Sequence, residues 1–128
     1  MLWDKTLETG IESIDAQHKE LFRRIDLLTD QKNEKRTYEM LEFLEEYVRI
    51  HFNDEQALHQ KSKYPKAAAH KSYHDAYVDI IKKLKERLKS DGDTLLVKME
   101  VNKTVFGWLK DHILVHDKEF SRYYRSQK

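Results

Sequence analysis

The sequence predicts an all-α fold: an up-down-up-down antiparallel four-helix bundle preceded by an irregular N-terminal arm. Three observations carry this expectation. The 128 residues include only 3 glycines and 1 proline, too few turn formers for a many-stranded sheet or a glycine-rich phosphate loop. Hydrophobic residues make up 39% and charged residues 37%, a balance that suits helices burying a thin apolar stripe and solvating the rest. Apolar residues recur in alternating steps of three and four through four segments, with short polar turns between them.

Each element has its own signal. Residues 1–13 read as the irregular arm, which contains Gly10, with Trp3 placed to pin it to the body. Asp15 reads as the N-cap of a first helix running to about Asp30. Asp30-Gln31-Lys32-Asn33 reads as a polar turn, and a second helix runs from about Glu34 to Lys61. Ser62-Lys63-Tyr64-Pro65 breaks it, because proline cannot continue a helix and restricts the residue before it. A third helix runs from about Lys66 to Lys89, and Ser90-Asp91-Gly92-Asp93 is the clearest turn. A fourth runs from about Thr94 to Tyr124. Connections this short make neighbouring helices antiparallel. The chain reads as one domain over 1–128, with the bundle over about 15–125 and no internal repeat, linker or low-complexity tract.

Composition excludes several classes of function. Lysine plus arginine is 24 and aspartate plus glutamate is 23, a net charge of +1. Such a chain has no field to gather nucleic acid or an anionic membrane. There is no cysteine, which removes disulfides, thiolate nucleophiles, zinc fingers and iron–sulfur clusters. No apolar run is long enough to span a bilayer, and the start lacks the basic-then-apolar order of a signal peptide. The expectation is a cytoplasmic protein, monomeric with oligomers left open, whose partner is a small molecule.

The seam of the bundle is apolar except at one level. It runs through Ile14, His18, Leu21, Ile25 and Leu28, then Leu41, Leu44, Val48, His51, Glu55 and Leu58. It continues through His70, His74, Tyr77, Ile81, Leu84 and Leu88, and ends with Val101, Val105, Trp108 and His112. The polar members lie near the starts of the odd helices and toward the ends of the even ones. In an antiparallel bundle these places meet, so four helices deliver five histidines and Glu55 to one layer. A lone histidine on an apolar face is ordinarily a core residue with one hydrogen bond. Six unpaired polar groups are different: at about 1–3 kcal/mol each, they would cost on the order of 10 kcal/mol, comparable to a whole domain's stability. Neutral imidazole has one donor and one acceptor, so mutual pairing is a poor remedy. A metal accepts the lone pairs directly.

Five imidazoles exceed what a single tetrahedral zinc needs. Nitrogen and oxygen donors without sulfur suit iron, manganese or zinc. Two adjacent six-coordinate metals, sharing two bridging carboxylates and a bridging oxygen, accommodate the five imidazoles and leave one position open. That scheme needs a second carboxylate, and Asp111 and Asp117 flank His112. Asp117, five residues on, stands about 140° around an ideal helix from His112, and geometry alone prefers His116.

These residues resemble the hemerythrin family, specifically its single-domain bacterial members. The likeness covers nearly the whole chain. It comprises Trp3, Gly10-Ile11, Ile14-Asp15-Ala16-Gln17-His18-Lys19, His51-Phe52-Asn53-Asp54-Glu55 and Tyr64-Pro65. It continues with His70-Lys71-Ser72-Tyr73-His74, Trp108-Leu109-Lys110-Asp111-His112-Ile113 and Asp117-Lys118. One H-x-x-x-H is weak evidence; the ordered set H, H-x-x-x-E, H-x-x-x-H and H-x-x-x-x-D is very specific. The resemblance implies a di-iron centre without heme that binds O2 reversibly. It implies that His70, His74 and His112 hold one coordinatively full iron, and that His18 and His51 hold the other, which keeps the open position. It implies that Glu55, Asp117 and an oxo or hydroxo group bridge the two. The family thus selects Asp117, and the five-residue spacing then calls for a local irregularity in the last helix. Phe52, Trp108 and Ile113 are candidates for an apolar O2 pocket, and each also reads as plain core.

Two histidines depart from the family pattern. His59 stands where relatives often carry methionine, and His116 where they often carry an apolar residue. The simple expectation for both is a surface position; the alternative is a polar layer behind the metals or a proton path. Storage, delivery or sensing of O2 is the expected function. The alternative is a di-iron enzyme such as a peroxidase, nitric oxide reductase or ferrous oxidase; a metal-stapled structural bundle is the weakest reading. Ferritin-like oxidases use more carboxylates and Glu-x-x-His spacing, so the histidine-rich set favours binding over catalysis.

Overall fold

A computed structural model of the chain describes residues 3–29 and 36–127. The arm carries a 3-10 turn at Lys5–Leu7, capped by the Asp4 carboxylate, which accepts from the Thr6 N–H at 2.8 Å. Helix α1 spans Glu12–Asp26 and runs into a 3-10 turn at Leu27–Thr29. Helix α2 spans Thr37–Lys61, α3 Ala67–Asp91 and α4 Leu95–His112. A π-helical turn at Ile113–Asp117 joins α4 to α5, Lys118–Ser126. The architecture is the expected four-helix bundle, with α4, the π turn and α5 forming the last rod. The described residues contain no strand and no helix long and apolar enough to cross a membrane.

Helix α1 begins a turn earlier than the sequence predicts. Asp15 does not cap it; it lies inside the first turn. Its carboxylate reaches back to accept from the Thr9 N–H and hydroxyl, both at 2.8 Å, and from the Gly10 N–H at 3.1 Å. Gly10, at φ +85°, makes the bend that brings those donors round. The arm is tied to α5 as well, because the Ser121 hydroxyl donates to the Thr9 carbonyl. Trp3 packs against the core at partial burial, with the Lys19 ammonium 4.6 Å from its ring centroid. The expected turn at 30–33 and the start of the second helix at Glu34 lie outside the described residues. Helix α3 continues to Asp91, two residues past the expected end, and Gly92 closes it at φ +83°.

Long-range bonds fix the antiparallel order. Gln17 near the start of α1 donates to Asp54 near the end of α2 at 2.8 Å. Thr37 at the start of α2 donates its N–H and hydroxyl to Asp93, just past α3, at 2.9 and 2.6 Å. Asn102 of α4 donates to the Ile25 carbonyl near the end of α1 at 3.1 Å.

The core falls into two apolar clusters. The larger runs from Leu21, Phe22 and Ile25 through Leu41, Leu44 and Val48 to Tyr77, Ile81, Val101, Val105 and Leu109. The smaller holds Ile11, Ile14, Tyr64 and Phe120. Along every helix the residues between the two clusters are the polar ones: His18 follows Ile14, His74 precedes Tyr77, and Asp117 precedes Phe120. The polar layer therefore divides the core. Leu58 and Trp108, placed on the seam by the sequence, are only half-buried, while their neighbours His59 and Leu109 are buried.

Candidate metal centre

Four rods supply the layer: α1 gives His18, α2 gives His51 and Glu55, α3 gives His70 and His74, and the last rod gives His112 and Asp117. All seven are buried. Their ligand atoms form two overlapping groups, each with every atom within 4.8 Å of the others. One comprises Glu55, His70, His74, His112 and Asp117; the other comprises His18, His51, Glu55 and Asp117. The two carboxylates are common to both.

Each carboxylate divides its oxygens between the groups. Glu55 Oε1 lies 2.8 Å from His70 Nε2 and 3.1 Å from His74 Nε2, while Oε2 lies 3.8 Å from His51 Nε2. Asp117 Oδ1 lies 3.0 Å from His70 Nε2 and 3.1 Å from His112 Nε2, while Oδ2 lies 3.0 Å from His18 Nε2. This is the arrangement a bridging carboxylate requires, one oxygen toward each of two ions.

Asp117 reaches this place through the π turn. In an α-helix its side chain would stand far round from that of His112. A π turn closes with i→i+5 bonds, which stacks the fifth residue over the first. Asp117 is buried, whereas Asp111 is exposed and His116 half-buried. The open choice among these three is resolved in space by a backbone feature.

The donor set fits a cation. Nε2 of His18, His51 and His74 and all four carboxylate oxygens are buried with no hydrogen-bond partner, although several of these atoms lie about 3 Å apart. They converge without being aligned as donor and acceptor. Buried polar groups left in this condition are costly, and a metal ion satisfies them together. Two rings have their tautomer set from outside. His51 Nδ1 is 2.7 Å from Gln17 Oε1, and His74 Nδ1 is 3.0 Å from Gln56 Oε1. An amide oxygen only accepts, so the proton sits on Nδ1 and the bare Nε2 lone pair faces the centre. Gln17 is itself held by its bond to Asp54. Sequence reasoning missed both glutamines.

Electrostatics agree with this reading. Burial pushes His51 down to about 3 and His74 down to about 2, so both rings are neutral and free to ligate. Burial also opposes charge on His70, but the Asp117 and Glu55 carboxylates beside it outweigh burial and raise that ring to about 9, so without a metal His70 holds a proton that a bound cation would displace. Burial would raise Asp117, yet the His112, His18 and His70 rings hold it well below the usual carboxylate range. Two buried anions among lone pairs make a strongly cation-seeking site.

Aromatic rings close the three-histidine side. Phe52 stacks on His74 with centroids 3.7 Å apart, and Trp108 stacks on His112 at 4.7 Å. Ile113 is fully buried in the same apolar cluster as Phe52. His116 stacks on Tyr73 at 4.0 Å, half-buried and outside both donor groups. The surface position expected for His59 is wrong: its ring is 1% exposed.

The match with known proteins is extensive. A family model, the hemerythrin HHE cation binding domain, matches residues 9–124. A bacteriohemerythrin of Pseudomonas paraeruginosa is 31% identical over 116 residues, covering 88% of this chain and 74% of that protein. A bacteriohemerythrin of Clostridium acetobutylicum is 28% identical over 130 aligned positions, covering 93% and 97%. The myohemerythrin of Theromyzon tessulatum is 31% identical over 111 residues, covering 87% and 82%. Fold, buried donor layer and family model agree, and the chain belongs to the hemerythrin family.

Proposed function

We propose that this protein binds O2 reversibly at a pair of iron ions held without heme. The observation that carries the reading is the split of the Glu55 and Asp117 oxygens between a three-imidazole and a two-imidazole group. His70, His74 and His112 would hold one iron and His18 and His51 the other, with Glu55 and Asp117 placed to serve both. The His18–His51 group offers one imidazole fewer, so an ion held there would have room for O2. Iron supplies the electrons that make O2 binding possible and reversible; the chain supplies everything else.

The chain's part is positioning and exclusion of water. Gln17 and Gln56 fix the tautomers of His51 and His74 and so aim their lone pairs. Phe52 and Trp108 lie flat on His74 and His112 and keep that side dry. The bacteriohemerythrins and the myohemerythrin among its relatives fit this reading.

The test is anaerobic reduction of the iron-loaded chain, followed by air and then by argon. A visible absorption band that appears in air and disappears under argon is expected, with two irons per chain by metal analysis. Immediate passage to a stable ferric state, with turnover of an added reductant, would instead support the di-iron enzyme. Zinc without iron in the protein as isolated from cells would overturn both.

A further inference from the structure

His59 is the one buried histidine that the proposed ligand set leaves unused. It stands one helical turn beyond Glu55 on α2, and both of its ring nitrogens are buried with no hydrogen-bond partner. The ring lies edge-on to Phe120 with centroids 4.3 Å apart, and 4.5 Å from the His70 ring. Its Nε2 is 3.9 Å from Glu55 Oε1. That is the same oxygen that faces His70 and His74 at 2.8 and 3.1 Å.

Three roles compete for such a residue. As a filler it is a poor choice, since leucine or methionine would occupy the space without burying two unpaired polar atoms. As a metal ligand it is misplaced. Glu55, His70, His74, His112 and Asp117 already lie within 4.8 Å of one another, and His59 is outside that group. A bridging oxygen would complete six-coordination there. What remains is action through Glu55. A bridging carboxylate oxygen has a second lone pair, and the His59 Nε2–H is placed behind the metal to meet it.

We propose that His59 is a positioning residue that donates to Glu55 Oε1, holds the bridging carboxylate in place and tightens metal binding. This rests on the di-metal reading above. A separation of 3.9 Å is about 1 Å longer than a hydrogen bond; the contact must close on metal binding, as hydrogen bonds that are long in empty catalytic sites often tighten when the site is filled. Partners placed behind metal ligands typically contribute about 10–100-fold in metal affinity, and that is the effect expected of His59.

The experiment is a Co2+ titration of the full chain, stripped with a chelator and followed by visible absorption against a competing chelator. Wild type binds two Co2+. His59→Leu binds Co2+ about 10–100-fold more weakly with a shifted band, whereas His59→Gln, which keeps an N–H donor, recovers most of the affinity. Melting of the metal-free proteins separates this from packing: His59→Leu melts at or above wild type, because it removes orphaned buried nitrogens. His59→Leu with wild-type Co2+ affinity and spectrum overturns the proposal, as does a metal-free melting temperature that falls while Co2+ affinity is unchanged. A wild-type chain that binds no Co2+ overturns the metal-centre reading and this proposal with it.

Discussion

Leu41, Leu44, Leu88 and Val97 fill the end of the bundle at the α3–α4 turn, the turn end, whereas the opposite end buries six imidazoles, His59 among them, and two carboxylates. The turn end is closed by apolar burial and by the Thr37–Asp93 bonds, with the Lys85 and Lys89 ammonium groups 5.5 and 5.3 Å from the Tyr38 ring centroid. Every one of these terms is complete within the chain. The donor end is incomplete without a cation, because its carboxylate oxygens and most of its Nε2 atoms have no partner. The smaller apolar cluster and the arm close that end from outside, through Ile14, Tyr64, Phe120 and the Ser121–Thr9 bond. The contrast teaches that stability and binding occupy different levels of one bundle. The apolar end carries the fold, and this lets the other end hold groups that only a metal satisfies.

The largest effect that tests this division comes from Leu44, which is fully buried at the turn end. Leu44→Ala should cost about 2–5 kcal/mol in urea unfolding, the usual range for a buried leucine. The loss should be equal in metal-free and metal-loaded protein, with metal stoichiometry unchanged. A loss confined to the loaded form would mean the two levels are coupled. Metal itself comes next. A cation at 100 times its Kd should stabilise the fold by about 2.7 kcal/mol. Hydrogen exchange should place the added protection around His18, His51, His70 and His112, with little at Leu41 and Leu88. Uniform protection along the helices would break the comparison.

Much of this was legible in the sequence, and the misses have physical causes. A helical period assigns residues to faces, so Leu21, Val48, Tyr77 and Val105 were correctly placed in the core, and His18, His51, Glu55, His70, His74 and His112 in the same layer. The period does not decide between steps of three and four. A step of three after Glu55 puts Leu58 inside and His59 outside; in the structure His59 is buried and Leu58 only half-buried. The same ambiguity exchanged Trp108 and Leu109. Asp117 was invisible to any α-helical period, because its face depends on the π turn; only the family resemblance selected it. Gln17 and Gln56 were missed because each acts on a ring from another helix, and no spacing within one helix reports that. Residue type alone suggests Asp15 as a cap, but its carboxylate serves the bend at Thr9 and Gly10.

The two glutamines sharpen the contrast within the donor end. Gln17 orients a ring of the two-imidazole group, and Gln56 one of the three-imidazole group. Gln17→Leu and Gln56→Leu should each lower metal affinity by about 10–100-fold, through different sites. Separate Co2+ binding steps should show it, the first variant weakening one step and the second the other. Equal weakening of both steps would mean that the carboxylate bridges, not the individual rings, set affinity.

The smallest effect returns to the turn end. Asp93 accepts from the Thr37 N–H and hydroxyl, and so caps α2 from the loop that follows α3. Burial would raise its carboxyl, but the Thr37 bonds and the Lys98 and Arg36 charges outweigh it and lower it below the ordinary value. A carboxylate lowered on folding contributes stability above its unfolded value and loses it as pH falls through the lower folded value. Asp93→Asn should therefore cost about 0.5–1 kcal/mol near pH 7, the scale of a lost cap at a partly exposed site. The gap to wild type should close as the pH drops into the carboxylate range. Paired urea melts across that range, on metal-free protein, measure it. A gap that persists or widens in acid would show that the Asp93 charge contributes nothing, and that its side chain acts at the turn end through neutral hydrogen bonding or packing instead.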